Sequence, residues 1–281
     1  MINGGIGDFL YYVQAIRYVS MTVDHKRFAV ISRDFFLELA RHFLKGYIDE
    51  IHGEKVQMTQ GAGIWQPKPM MPGHMGFHPA EIAFMYYNNS PVPKGWEVLP
   101  RIEGDEVEID VPEKYVVINA GGTTGNRTLP AHVVIGLSNY VKQKGYTPVF
   151  LGKREITKGY NTNFANVDYD ALGIDLRDKT GLLEAACIMA NAKLVVGIDG
   201  GLMHLACCSD VPALWASTVA SWENRMPFRD AWTKNVQVDG LDCLHCQERY
   251  RYMPEHDFRN CLTGHLRCVQ DLNTQQFISL A

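Results

Sequence analysis

Two periods of apolar residues divide this chain. From Tyr115 onward, runs such as Tyr115-Val-Val-Ile-Asn119, Thr147-Pro-Val-Phe-Leu151 and Leu194-Val-Val-Gly-Ile198 are apolar at almost every position, as strands covered on both faces must be. Between them the spacing turns helical, through Val133, Val134, Leu137, Tyr140 and Val141 to a helix-stop Gly145, and again from Leu182 to Ala192. Pro130 is placed at the first position of the earlier helix. Strand and helix alternate, so this half is predicted to be α/β, with a parallel, doubly wound sheet.

The earlier half is less regular. Met1-Ile-Asn-Gly-Gly-Ile-Gly-Asp8 reads as a glycine-rich turn feeding a helix over Phe9 to Ser20, apolar at Leu10, Val13, Ile16 and Val19. Only Met1 to Asn3 are left for the strand that such a turn should follow. Arg27 to Ile31 is predicted as a strand, Phe35 to Phe43 as a helix, and Tyr47 to Val56 as short mixed elements. From Gln60 to Pro100, Gly and Pro are scattered among Trp65, His74, His78, Tyr86, Tyr87 and Trp96, which suits loops around a polar substrate or an irregular surface. The acidic stretch Glu103 to Asp110, closing on Val111-Pro112, is the expected linker between domains 1–110 and 111–281.

Composition adds exclusions. With 46% hydrophobic and 21% charged residues and a net charge of −4, the chain is that of a globular protein with no electrostatic reason to wrap nucleic acid. No apolar run is long enough for a membrane span and no signal peptide is read, so a cytoplasmic protein is expected.

Candidate chemistry gathers where strands end, since open α/β sheets bind ligands outside the carboxyl ends of their strands. Asp199-Gly-Gly-Leu-Met-His204 follows one strand. Gly200 and Gly201 let the backbone approach a ligand and open a helix whose N–H groups favour an anion, so a phosphate is the expected guest; an ordinary βα turn with His204 as a packed helix histidine is the alternative. Ala120-Gly-Gly-Thr-Thr-Gly-Asn-Arg-Thr-Leu-Pro130 follows a second strand and offers Gly121, Gly122, Thr123, Thr124 and Arg127. Gly152-Lys-Arg-Glu155 follows a third, where Glu155 is placed to accept hydrogen bonds from ribose hydroxyls. Asp8, in the first turn of its helix, is either a cap or a carboxylate at the rim of a cleft.

With these loops in view, the chain resembles glycosyltransferase family 9, the ADP-heptose-dependent heptosyltransferases of lipopolysaccharide and protein glycosylation. The resemblance rests on Gly7-Asp8 and its helix, Ala120-Gly-Gly-Thr-Thr with Arg127 and Pro130, Asp175-Leu with Lys179-Thr180, and Gly197-Ile-Asp-Gly-Gly-Leu-Met-His-Leu-Ala206. It implies a GT-B architecture, two Rossmann-like domains with the active site in the cleft between them, the acceptor on the N-terminal domain and the nucleotide sugar on the C-terminal one. It also implies that Asp8 is the catalytic base, that Arg127 takes the place of the usual lysine near the diphosphate, that Thr123 and Thr124 are phosphate-loop hydroxyls, that Glu155 binds ribose, and that Asp199, Gly200, Gly201 and His204 form the donor turn. Gly200 stands where a hydroxyl residue is usual, and Leu129 where tryptophan is. The reaction expected is an inverting transfer to a glycan or protein hydroxyl. No Asp-x-Asp metal motif is read, so no catalytic divalent metal is expected.

Seven cysteines remain. Cys187, Cys207 and Cys208 lie in apolar helical text and read as core residues. Cys243-Leu-His-Cys246 with Cys261 and Cys268 is a four-thiolate set suited to a structural tetrahedral metal, zinc by its chemistry or iron as the resemblance allows, with His245 and His265 as spare ligands; four unligated thiols are the alternative. Two other functions stay open: a nucleotide-sugar-binding or partner-binding protein that has lost turnover, and a glycosyltransferase acting on modified DNA.

Overall fold

The computed structural model describes residues 5–22, 29–53, 83–84, 91–94, 96, 99–104, 110–121, 124–154, 167–226, 233–250 and 261–281. The chain forms two compact units, Met1–Arg101 with Pro227–Arg229, and Ile102–Met226 with Asp230–Ala281.

In the first unit, helix α1 (Ile6–Thr22) buries Phe9, Leu10, Val13, Ile16 and Val19, the stripe its spacing announced. Strands β1 (Ala29–Ile31) and β2 (Glu50–His52) pair in parallel, with helix α2 (Leu37–Phe43) in the connection. Phe9 stacks on Phe36 at 4.6 Å and 16°, fixing the start of α1 against the loop that leaves β1. The strand expected at Met1 to Asn3, and Trp65, His74, His78, Tyr86 and Tyr87, lie outside the described residues. Trp96 meets Tyr18 edge-on at 5.4 Å.

The second unit holds the strands β3 (Tyr115–Asn119), β4 (Thr147–Phe150), β5 (Ile174–Asp175), β6 (Val195–Ile198), β7 (Ala213–Ala216) and β8 (Thr233–Val236). All neighbours are parallel, in the order β5-β4-β3-β6-β7-β8. Counted within the unit this is 3-2-1-4-5-6, the order of dinucleotide-binding folds, whose topological switch lies between its first and fourth strands. Here that point is between β3 and β6.

Helices fill the crossovers: α3 (Ala131–Gln143), α4 (Tyr169–Leu172), α5 (Leu182–Ala190), α6 (Gly201–Ala206) and α7 (Trp222–Arg225). Three more follow β8: α8 (Cys246–Tyr250), α9 (Arg267–Gln270) and α10 (Thr274–Ile278). Val116, Ile118, Val196, Ile198, Leu214 and Ala216, alternate residues of three strands, share one core with Val133, Val134 and Leu137 of α3, Leu244, Cys268 and Phe277. Removing a side chain such as Ile118 from such a core costs about 2–5 kcal/mol. Gly197 interrupts the apolar run of β6 because a Cβ there would meet Met203 Sδ and come within 3.0 Å of the Asn119 carbonyl oxygen. Its absence lets α6 lie close on the switch point.

The start of α3 differs from expectation. Pro130 has ψ 149° and caps α3 from outside, because Leu129 N–H donates to Ala120 O at 2.7 Å and holds the chain extended up to the helix start. Among the described residues no helix is long and apolar enough to cross a membrane.

Candidate active site

The loop leaving β3 folds back on its own strand end. Gly121 bridges Thr128 in antiparallel fashion, and a single 3-10 turn (Gly125–Arg127) sits at its tip. Thr128 Oγ1 donates to Thr124 O at 2.9 Å and the Thr124 hydroxyl bonds the Asn126 side chain, so Thr124 is buried in the loop and secures the turn. The turn's function is to aim Arg127. Its Nε and Nη2 both donate to Asp199 Oδ2, at 3.1 and 2.6 Å, across the switch point between β3 and β6.

Asp199 is 1% exposed. Burial works against its ionisation, but the charges of Arg127, Arg225 and His204 and the bonds from Arg127 outweigh that and hold the carboxyl below its ordinary range. Oδ1, by contrast, is buried with no hydrogen-bond partner among the described residues. An orphan acceptor on a buried carboxylate costs stability, and such groups concentrate at sites completed by a ligand.

Gly200 and Gly201 follow directly. Gly200 is extended, and a Cβ there would meet only Ile198 O at an ordinary 3.5 Å, so a larger side chain would fit. Helix α6 has six residues, which makes its dipole weak and leaves anion binding to individual N–H groups and cations. His204 is buried in α6 and meets Trp215 edge-on at 4.8 Å. Gly152, at the end of β4, has φ +119°, and a Cβ there would lie 3.2 Å from Asn119 Oδ1, another buried acceptor with no partner among the described residues. Gly121, Thr124, Arg127, Asp199, Gly200, Gly201 and His204 are thus gathered at the carboxyl ends of β3 and β6. Gly122, Thr123 and Glu155 lie outside the described residues.

Asp8 belongs to the first unit. It is exposed, and its Oδ2 accepts from Gly5 N–H at 2.9 Å, the back-bond from the third helical residue to the cap position. It therefore secures the start of α1 and still presents a carboxylate to solvent.

Two features escaped the sequence reading. Arg225 joins Asp199's electrostatic surroundings from a one-turn helix that no periodicity announces. One Asp-x-Asp tripeptide does occur, Asp168-Tyr169-Asp170. Asp168 accepts from Ala171 N–H at 3.1 Å as the cap of α4, which precedes β5 and so lies at the opposite edge of the sheet from the strand ends just described.

None of the seven cysteines, all within the described residues, is in a disulfide. Cys187, Cys207 and Cys208 are buried, as expected. The other four influence one another: burial, then the neighbouring thiols, push Cys246 up to about 11 and Cys268 up to about 12. Cys261 goes the other way; burial opposes it, but hydrogen bonds from Thr263, Leu266 and Gly264 hold its thiol below the ordinary value. His265 Nε2 lies 3.8 Å from Cys243 Sγ. Among the described residues, however, no three His, Cys, Asp or Glu side chains are gathered closely enough to hold a metal ion.

A 3-2-1-4-5-6 parallel sheet with an arginine clamped at its switch point defines an α/β domain of dinucleotide-binding topology. Residues 90–254 match the profile of glycosyltransferase family 9 (heptosyltransferase), and the chain belongs to that family. No curated protein matches the sequence. Among solved structures the chain is similar to the iron-containing dodecameric glycosyltransferase TibC of enterotoxigenic E. coli, with 17% identity and TM-score 0.71 over 99% of this chain and 73% of that one. TibC solved with ADP-D-beta-D-heptose gives 16% identity and TM-score 0.70 over the same shares. A family 9 glycosyltransferase of Veillonella parvula gives 12% identity and TM-score 0.67 over 98% of this chain and 93% of that one. The fold is that of GT-B heptosyltransferases, and the protein is a glycosyltransferase.

Proposed function

We propose that this enzyme transfers a heptose-like sugar from an ADP-linked donor to a hydroxyl of a glycan or protein acceptor, with inversion. The observation that carries the reading is the Arg127–Asp199 clamp at the β3/β6 switch point, an oriented cation where open α/β sheets receive the phosphates of a nucleotide. The donor belongs to the second unit, with Glu155 beyond β4 on the ribose, Thr123 and the Gly121–Gly122 amides on the phosphates, and Gly200, Gly201 and His204 completing the turn. The acceptor belongs to the first unit.

Asp8 takes the acceptor hydroxyl's proton as that oxygen bonds the anomeric carbon. The carbon–phosphate oxygen bond breaks on the opposite face, and the diphosphate leaves with the electron pair. Developing charge on the leaving oxygen is met by fixed protein donors, each worth roughly 3–4 kcal/mol of transition-state stabilisation where such donors have been removed. No step is assigned to a divalent metal. A nucleotide-linked donor and unpaired cysteines support a cytoplasmic enzyme, and a net charge of −4 speaks against nucleic acid as its partner.

We further propose that Cys243, Cys246, Cys261 and Cys268 hold a structural zinc or iron. By residue type the four thiols suit a tetrahedral site, though here no three of them are close enough to share an ion, so binding would draw them together. Leu266 N–H already bonds Cys261 Sγ at 3.3 Å, and a cation would offset the burial and the neighbouring thiols that push Cys246 and Cys268 up. Elemental analysis of the purified chain should find about one zinc or iron per chain, falling on Cys246→Ser; a metal-free, fully folded protein overturns this part.

Thermal shift against ADP-, UDP-, GDP- and dTDP-sugars tests the donor. At 100 times its dissociation constant a ligand adds about 2.7 kcal/mol of stability, which selective stabilisation by ADP-heptose would show. Asp8→Asn should then abolish transfer and keep that shift. Full transfer by Asp8→Asn would remove the base, and a panel without any shift would remove the donor site.

A further inference from the structure

The donor-site reading leaves a charge deficit. Arg127 is bonded through two nitrogens to the carboxylate of Asp199, so together they contribute no net charge, while a departing nucleoside diphosphate gains negative charge. A second cation is needed beside the clamp.

Arg225 is placed to be that cation. It closes the single turn of α7 (Trp222–Arg225), directly beyond the end of β7, and β7 is the strand next to β6. Trp222, three residues earlier and so on the same helix face, meets Trp215 edge-on at 6.2 Å. Trp215 in turn meets His204 of the donor turn at 4.8 Å. Arg225's helix thus packs beside the donor turn, and the arginine acts on the Asp199 carboxylate electrostatically. Among the described residues its side chain forms no hydrogen bond or ion pair.

The helix is fixed from outside the sheet. Glu248 of α8 accepts from Ser221 N–H at 2.6 Å and from Ser221 Oγ at 2.9 Å, and Ser221 caps α7 by accepting from Asn224 N–H at 3.3 Å. Gln247 N–H donates to Val219 O at 2.8 Å, and Thr218 Oγ1 donates to Asn126 O at 2.8 Å. One run of backbone, Thr218 to Ser221, therefore ties Arg225's helix to the loop that aims Arg127.

We propose that Arg225 binds the sugar-linked phosphate of the nucleoside diphosphate and takes up its charge as it leaves. Sheet order supplies the direction: with ribose at the end of β4 and the clamp between β3 and β6, a diphosphate continuing the same way reaches β7 and α7 with its distal phosphate. This rests on the donor-site reading above.

Calorimetric titration of the full-length protein with ADP and AMP tests it. In the wild type ADP should bind more tightly than AMP. Arg225→Met should weaken ADP on the order of tenfold to a hundredfold, the range for a hydrogen bond to a charged group, with AMP affinity unchanged and ligand-free melting only slightly lowered through Asp199. Arg225→Lys should restore part of the loss. If ADP affinity is unchanged in Arg225→Met, or ADP and AMP weaken equally, the assignment to the distal phosphate fails and the donor site stands. Were the wild type to bind neither nucleotide, donor site and assignment would fall together.

Discussion

Two aspartates at the carboxyl edge of one sheet are each held by an arginine, and they differ in what is left over. Asp175, ending β5, accepts through Oδ1 from the Arg177 backbone N–H at 3.1 Å and Nε at 2.8 Å, and through Oδ2 from Nη2 at 2.9 Å. Arg154 approaches the same Oδ2 at 3.3 Å, and the Arg177 guanidinium lies 3.3 Å from the centre of the Tyr169 ring. Both oxygens are served. Asp199, following β6, uses only Oδ2, and its other oxygen stays buried and unserved among the described residues. The saturated pair serves the scaffold; the open oxygen on Asp199 fits the donor-site role proposed above.

The largest effects should come from breaking either pair on one side. Arg127→Met leaves buried Asp199 without a side-chain hydrogen bond, and Arg177→Met leaves Asp175 only a backbone N–H and the half-exposed Arg154. Each should therefore cost up to about 3–5 kcal/mol in urea unfolding, seen as a lower midpoint at constant slope. The two sites part company in the double replacements. Asp175→Asn with Arg177→Met should recover most of the stability and leave transfer intact. Asp199→Asn with Arg127→Met should also recover stability, yet transfer should stay down by roughly 10²–10³, the loss typical of one oxyanion donor. Equal transfer from both double variants would erase the distinction.

Acid sharpens it further. Burial opposes ionisation at Asp175, but the bonds and charge of Arg177, with Arg154, outweigh it and hold the carboxyl low; Asp199 is held low for the parallel reason. A folded-state value below the unfolded one means stability that is present above the unfolded value of 3.8 and is lost as pH falls through the folded one. The wild type should therefore be flat in stability from neutral pH down to about 5 and lose it below about 4. In Asp175→Asn this acid limb should shrink, while a saturating nucleoside diphosphate should leave it in place. An acid limb identical in the variant and the wild type would mean that Asp175 carries no pH-dependent stability.

Much of this was legible in the sequence, for physical reasons. Strands β3, β4 and β6 appear within a residue of their expected bounds because a parallel strand buried on both faces must be apolar throughout, and few other elements of that length are. The two strand-end loops were found because glycine and hydroxyl residues stand out against such runs. Arg127 was found by resemblance, but its partner was not, since 72 residues separate it from Asp199 and no local pattern records the pairing. Arg225 was invisible for a similar reason. One helical turn shows no period, and what fixes it is the Ser221–Glu248 contact, 27 residues apart in sequence.

The smallest predicted effect is at Arg154. Its side chain is 47% exposed and reaches Asp175 Oδ2 at 3.3 Å, while Arg177 already bonds that oxygen at 2.9 Å. An exposed cation added to a satisfied carboxylate contributes little, because solvent screens it and ordering a long side chain costs entropy. Arg154→Ala should therefore lose no more than about 1 kcal/mol in urea unfolding, with its backbone N–H still free to donate to Asp178 Oδ2. Lys153, 70% exposed in its pair with Asp178, should behave alike. A loss at Arg154 as large as that at Arg177 would show that Asp175 is not saturated by one arginine, and the contrast with Asp199 would then rest on the number of cations at each site rather than on an oxygen left open.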